Sequence, residues 1–311
     1  MVKTSEFVFA SELDQPIPYM DRTRSYYLGL GYETPYVWAH YLEVPFSPLK
    51  KLLNQSTLGL ITTAVPFKAE NGPQGPGAPY NAAAKFYQPY QQAMNGEIDL
   101  RIAHVGIDRQ NADMEDSNCW FPMAAAKKAV ENGRIKALSP HFYGLPTNRS
   151  QRHTLEIDAP LILEMLREDK ADVAVLIPNC PICHQSQSLL ARYLEAAGIP
   201  TVVMGAAKDI VEYCGVPRFL FSDFPLGNAA AKPNDLSSQI LNFELVLRLL
   251  ESAPAGRTTV QSPLIWSVDP AWKLDYANLE KLSEQEITRL RDEAERARIT
   301  ARELRVSSVG T

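Results

Sequence analysis

Only four cysteines occur in the 311 residues, Cys119, Cys180, Cys183 and Cys214. That is too few for a disulfide scaffold in a chain of this size. No apolar run approaches the roughly 20 residues of a membrane span. The net charge of −5 comes with no Lys/Arg-rich block, which gives no footprint for nucleic acid. The opening stretch Met1-Val-Lys-Thr-Ser-Glu6 lacks the charged-then-apolar pattern of a secretory signal. Also missing are a Gly-x-Gly-x-x-Gly turn after a strand, a P-loop lysine motif and a Gly-x-Ser-x-Gly elbow. Nicotinamide, P-loop nucleotide and serine-hydrolase chemistry therefore find no support. The expectation is a cytoplasmic protein with neither a membrane nor a nucleic-acid partner.

What is present alternates between strands and helices. Thr57–Thr63 and Ala171–Ile177 are short apolar runs that read as buried strands, and Ile199–Met204 is another. Asp99–Ile107 and Ala137–Tyr143 are further strand candidates, the first ending in Asp108, and Arg218–Phe221 is one more. Helical spacing marks 122–132, 159–169, 186–197, 207–213 and 236–252. Ser283 and Glu286 match a capping box that opens a charged C-terminal helix. The pattern predicts an α/β fold: a doubly wound, mostly parallel sheet with helices on both faces. Around it we expect an aromatic-rich N-terminal arm (1–56), a body (57–270, divisible into 57–150 and 151–270) and a C-terminal helical extension (271–311). The Gly/Pro-rich stretch 66–79 reads as a long loop, a functional lid or a disordered segment.

The chemistry concentrates in Pro178-Asn-Cys180-Pro-Ile-Cys183-His184. It follows one strand and precedes a helix, the place where open α/β sheets hold their sites. A helix N-terminus favours a thiolate. Two thiols at this spacing can attack and resolve in turn, with His184 beside them as a proton donor or acceptor. Metal ligation and inert packing are the alternatives. Cys119 and Cys214 stand alone, so a metal site needs the fold to bring His104, His141 or Cys119 to the pair. His104, Asp108 and His141 lie at expected strand ends and are candidates for positioning substrate, as are Asn118, Asp223 and Asn228. For Asp223 and Asn228, which frame a Pro-Leu-Gly turn, turn chemistry is the competing explanation.

Several segments, taken in order, resemble one family. They are Arg24-Ser-Tyr-Tyr-Leu-Gly-Leu-Gly-Tyr32, Tyr36-Val-Trp-Ala-His40, Pro45-Phe-Ser-Pro-Leu49 and Leu60-Ile-Thr-Thr63. Next come His104-Val-Gly-Ile-Asp108, Asp116-Ser-Asn118, Phe121-Pro122 and Cys180-Pro-Ile-Cys-His-Gln-Ser186. Asp223-Phe-Pro-Leu-Gly-Asn228, Gln239 and Pro263-Leu-Ile-Trp266 complete the set. Together they are similar to the selenoprotein B subunits of the glycine, sarcosine, betaine and D-proline reductases, the D-proline branch in particular. The resemblance implies a thiol-dependent oxidoreductase that reductively cleaves a C–N bond of a small amino-acid-like substrate. It also implies a dithiol reductant and a partner subunit, of pyruvoyl type in the D-proline case.

In that family a selenol occupies the position of Cys180, with the equivalent of Cys183 as resolving thiol. Cysteine here implies a slower reductase acting on a more activated substrate, or a related thiol-based reduction. The family's usual Gly-Gly-Val-His is also replaced, by Ala64-Val-Pro-Phe67. From these residues the expected catalytic set is Cys180, Cys183 and His184, with no certain cofactor. Zn²⁺ or Fe²⁺ on Cys180, Cys183 and His104 is the alternative, as is a non-catalytic subunit. The helices at 236–252 and beyond 283 are the expected assembly surfaces, for a homo-oligomer or a partner.

Overall fold

The structure is a computed structural model that describes residues 12–72, 81, 84–102 and 104–309. Residues 73–79, half of the Gly/Pro-rich stretch expected to be a lid or disordered, lie outside the described residues. In chain order the strands are β1 (Thr57–Thr62), β2 (Val65–Pro66), β3 (Tyr90–Ala93), β4 (Leu100–Arg101), β5 (Ala137–Leu138) and β6 (His141–Gly144). After them come β7 (Val173–Ile177), β8 (Thr201–Gly205), β9 (Arg218–Phe221) and β10 (Thr258–Gln261). The helices are α1 (Tyr19–Gly29), α2 (Met123–Glu131), α3 (Gln151–His153), α4 (Ala159–Glu168), α5 (Pro181–Ala196), α6 (Lys208–Cys214), α7 (Leu236–Ser252) and α8 (Glu284–Val309).

One sheet runs β10-β9-β8-β7-β1-β6-β3, with β5 alongside the start of β1. All its pairings are parallel except the antiparallel edge strand β3. Every residue of β7, β8 and β9 is buried, as expected of strands covered on both faces. Alternate side chains go to opposite faces. Val173, Val175, Ile177, Val202, Met204 and Leu220 pack with α2 and α7. Ala174, Leu176, Val203, Phe219 and Phe221 pack with α4 and α5. The fold is the doubly wound α/β arrangement that the alternation predicts. From β1 the chain steps to β6 on one side, then returns to β7 on the other. The β1/β7 boundary is thus a topological switch point, where such sheets open a crevice at their carboxyl ends.

Three local expectations are corrected. Among the described residues of the run 99–107, only Leu100–Arg101 extends, and it pairs antiparallel with Val65–Pro66 in a ribbon separate from the sheet. Asp108 then turns the chain, its carboxylate accepting from the backbone N–H groups of Gln110 and Asn111. The N-terminal arm contains helix α1, hidden from periodicity by its Tyr-rich sequence. Helix α5 starts at Pro181 rather than Ser186. Its first turns are polar yet buried (His184, Gln185, Ser186, Gln187 and Ser188), so they carry no amphipathic signal.

The arm is fastened to the body through α5. The Gln185 amide donates to the Tyr36 hydroxyl, and its carbonyl accepts the Ala39 N–H at 2.6 Å. Glu195, fully buried with Arg218, accepts from Arg218 Nη1 at 2.7 Å and from the backbone of Ser47 and Thr201.

Candidate functional site

Strand β7 ends at Ile177, and the next three residues lead to Cys180, which caps α5. Pro181 suits the first helical position, because the N–H it lacks would have had no partner there. The Cys180 sulfur takes the role an Asp or Ser oxygen plays at other helix starts: it accepts the Cys183 backbone N–H at 3.2 Å. Both thiols are buried, Cys180 at 5% exposure and Cys183 at 0%. They titrate as a pair that gives up its first proton easily and its second with difficulty. Burial, then hydrogen bonding to Cys183 and the charge there, push the Cys180 thiol well up. Burial opposes ionisation of Cys183 too, but hydrogen bonding from Cys180, the nearby His104 and Thr63 outweigh it and hold Cys183 well below the ordinary thiol range. The first charge therefore rests on Cys183, and the remaining proton on Cys180.

His104, on the segment that follows β4, joins the pair. One of its ring nitrogens and the two sulfurs all lie within 4.8 Å of one another. His104 Nε2 meets the Thr147 hydroxyl at 3.2 Å, and that hydroxyl lies 3.8 Å from Cys183 Sγ. Thr147 follows β6, Thr63 follows β1 and Asn179 follows β7, so three adjacent strands deliver polar groups to one rim. The Thr63 hydroxyl accepts both the backbone and the side-chain N–H of Asn179, at 3.2 and 3.1 Å. Lys85 donates to the Thr147 carbonyl. Asn179 Oδ1 and His104 Nδ1 are buried without a hydrogen-bond partner, which leaves the crevice with unmet polar capacity.

His184 does something other than the expected proton transfer. Its Nδ1–H donates to the Cys180 carbonyl at 2.8 Å, and its Nε2 accepts from the N–H groups of Ala206 and Ala207 at 2.9 and 3.2 Å. Both nitrogens are committed, and burial lowers the ring's pKa to about 4. The neutral ring has no free lone pair and no spare proton. It is a strut that ties the exit of β8 to the start of α5.

His141 is brought nowhere near the thiols. It begins β6 and bonds Asp169 at 2.9 Å, just ahead of β7 and at the opposite end of that strand from Cys180. Asn118 caps α2 by accepting the Ala124 N–H, Asp223 pairs with Lys273, and Asn228 donates to the Asp113 carbonyl. Asp108 is a buried turn residue. Of the expected positioning residues, His104 alone lies against the pair.

Thr63, Thr147 and Asn179 were not expected; they were legible only through the rule that strand ends of a doubly wound sheet converge. Nothing in the sequence singles out Lys85. The two remaining thiols are isolated and raised by burial, Cys214 to about 12.

Among curated proteins, the chain is 29% identical over 218 residues to D-proline reductase subunit gamma of Acetoanaerobium sticklandii, which covers 68% of this chain and 86% of that protein. It is 24% identical over 233 residues to the glycine reductase complex component B subunit gamma of Symbiobacterium thermophilum, covering 72% of this chain and 52% of the relative. The corresponding subunit of Carboxydothermus hydrogenoformans is 24% identical over 217 residues, 67% of this chain and 48% of that protein. The chain thus spans about half the length of the two glycine reductase relatives. No family profile matches it, and no solved structure does. Among the described residues, no helix is long and apolar enough to cross a membrane. These similarities bear out the resemblance read from the motifs: the chain is similar to the gamma subunits of D-proline reductase and of glycine reductase component B.

Proposed function

We propose that this chain is the thiol-bearing subunit of a reductase complex and cleaves a C–N bond of a small amino-acid-like substrate. The observation that carries this reading is the placement of Cys180 and Cys183 at a helix start on the carboxyl rim, with the Cys183 N–H on the Cys180 sulfur. Cys180 is the less buried of the two and is the nucleophile. As it attacks, its proton passes to the charged Cys183. A C–S bond forms, the C–N bond breaks, and the nitrogen leaves from its protonated form as a neutral amine.

Cys183 then attacks the Cys180 sulfur. The S–S bond forms, the C–S bond breaks, and the carbon takes the electron pair together with the proton from Cys183. The substrate is reduced by two electrons and the dithiol becomes a disulfide, which an external dithiol reduces again. A partner subunit, of pyruvoyl type if this chain follows the D-proline branch, would present the substrate.

Peptide-resolved alkylation of the anaerobically reduced chain across pH tests the reading. Cys180 and Cys183 should label near neutral pH, while Cys119 and Cys214 resist until the chain unfolds. Mild oxidation should join the pair, and Cys180→Ser should abolish both the joining and turnover. A pair that labels no faster than Cys119 and Cys214 overturns the reading.

A further inference from the structure

The thiol pair and His104 also have the composition of a metal site, and this does not depend on the reductase reading. We propose that the reduced chain binds one Zn²⁺ through His104, Cys180 and Cys183, with a fourth position left to a small exogenous donor. Three observations carry this. The three donor atoms lie within 4.8 Å of one another, and all three residues are buried. Zinc–ligand bonds of about 2.0–2.3 Å in a tetrahedron place donor atoms roughly 3.5–3.8 Å apart. The cluster therefore needs to contract by about 1.3 Å at most.

His104 Nδ1 is buried without a partner, while Nε2 faces the Thr147 hydroxyl, which can fix the tautomer. The donor set is two sulfurs and an imidazole with no carboxylate among them, which selects a soft or borderline cation over Mg²⁺ or Ca²⁺.

Loading takes up one Zn²⁺ and releases the proton that remains on the pair, and the two thiolates cancel the charge of the ion. A disulfide sulfur cannot serve in the same way, so metal occupancy and oxidation of the pair exclude each other. The crevice then has three states: reduced and open, reduced and metal-blocked, and oxidised.

The test uses the full chain, anaerobically reduced with a phosphine, and Co²⁺ as a spectroscopic probe before competition with Zn²⁺. The expected result is one Co²⁺ per chain with a thiolate-to-metal charge-transfer band that Zn²⁺ bleaches. Cys180→Ser and Cys183→Ser should lose the band, and the pre-oxidised chain should never show it. His104→Ala should weaken binding by about tenfold or more. Cys119→Ala should leave binding unchanged, and circular dichroism checks each fold; the isosteric serine variants serve if His104→Ala does not fold. Absence of the band, or a band unmoved by the serine variants, overturns the metal site. A pair that alkylates and oxidises yet takes no Co²⁺ overturns the metal site alone. A pair that binds Co²⁺ but never oxidises overturns the reductase reading alone.

Discussion

A single side chain, His184, shows how closely the surroundings of the thiols are fitted. Its ring lies so near β8 that a Cβ on Gly205 would sit 2.8 Å from both Cδ2 and Nε2. Gly205→Ala should therefore push the ring off the Ala206 and Ala207 amides and cost about 2–3 kcal/mol by chemical denaturation. It should also loosen the carbonyl of Cys180 and change the alkylation rate of the pair. An unchanged stability would mean that the ring moves freely and is no strut. At this scale the sequence was half legible. The spacing of Cys180 and Cys183 after an apolar run announced the site, whereas His184 looked catalytic because proximity in sequence says nothing of hydrogen-bond partners. His104 could be suspected, but only folding shows that it reaches the pair while His141 goes to the other end of the sheet.

Elements were most legible where burial is complete. Strands β7, β8 and β9 and helix α7 follow directly from apolar runs and helical spacing, because parallel strands are covered on both sides. Elements whose stability comes from partners distant in sequence were not. Helix α1 is one: the Met20 N–H at its start donates to Asp209 on α6 at 2.7 Å. Burial, reinforced by the negative charge of Asp21, raises the Asp209 pKa to about 6 against three backbone hydrogen bonds. The folded state thus holds this proton more tightly than the unfolded chain, whose Asp titrates near 3.9. The stabilisation is complete below that value and is lost as pH rises through about 6. The stability of wild type minus that of Asp209→Asn should fall by roughly 2 kcal/mol between pH 4 and pH 7. A flat difference across that range would show that Asp209 keeps an ordinary pKa.

Across the whole molecule, the sheet with its helices on both faces and the C-terminal helix α8 differ in kind. No α8 residue of described burial is buried, and its ion pairs, Arg289–Glu293 and Arg298–Glu295, are internal. The Ser283–Glu286 capping box forms as the sequence predicts. One tie to the body is the Arg291 guanidinium on the Gly29 carbonyl at 2.7 Å. Removing residues 283–311 should leave the thermal midpoint within about 2 °C of the full chain, the shift expected for roughly 1 kcal/mol in a protein of this size. Failure of the shortened chain to fold would make α8 part of the core. The helix and its capping box are legible because a helix with internal ion pairs and few contacts to the body is governed by its own sequence.

The cap on α5 also sets an electrical quantity. A thiol or thiolate on Cys180 accepts the Cys183 N–H, but a disulfide sulfur is a poorer acceptor, so the reduced chain keeps a helix cap that the oxidised chain weakens. A cap is worth about 1 kcal/mol, and for a two-electron couple about 1.4 kcal/mol corresponds to 30 mV. In the proposed thiol–disulfide cycle, the first turn of one helix thus makes the pair a stronger oxidant by roughly 20 mV. Electron affinity is here partly a property of the backbone.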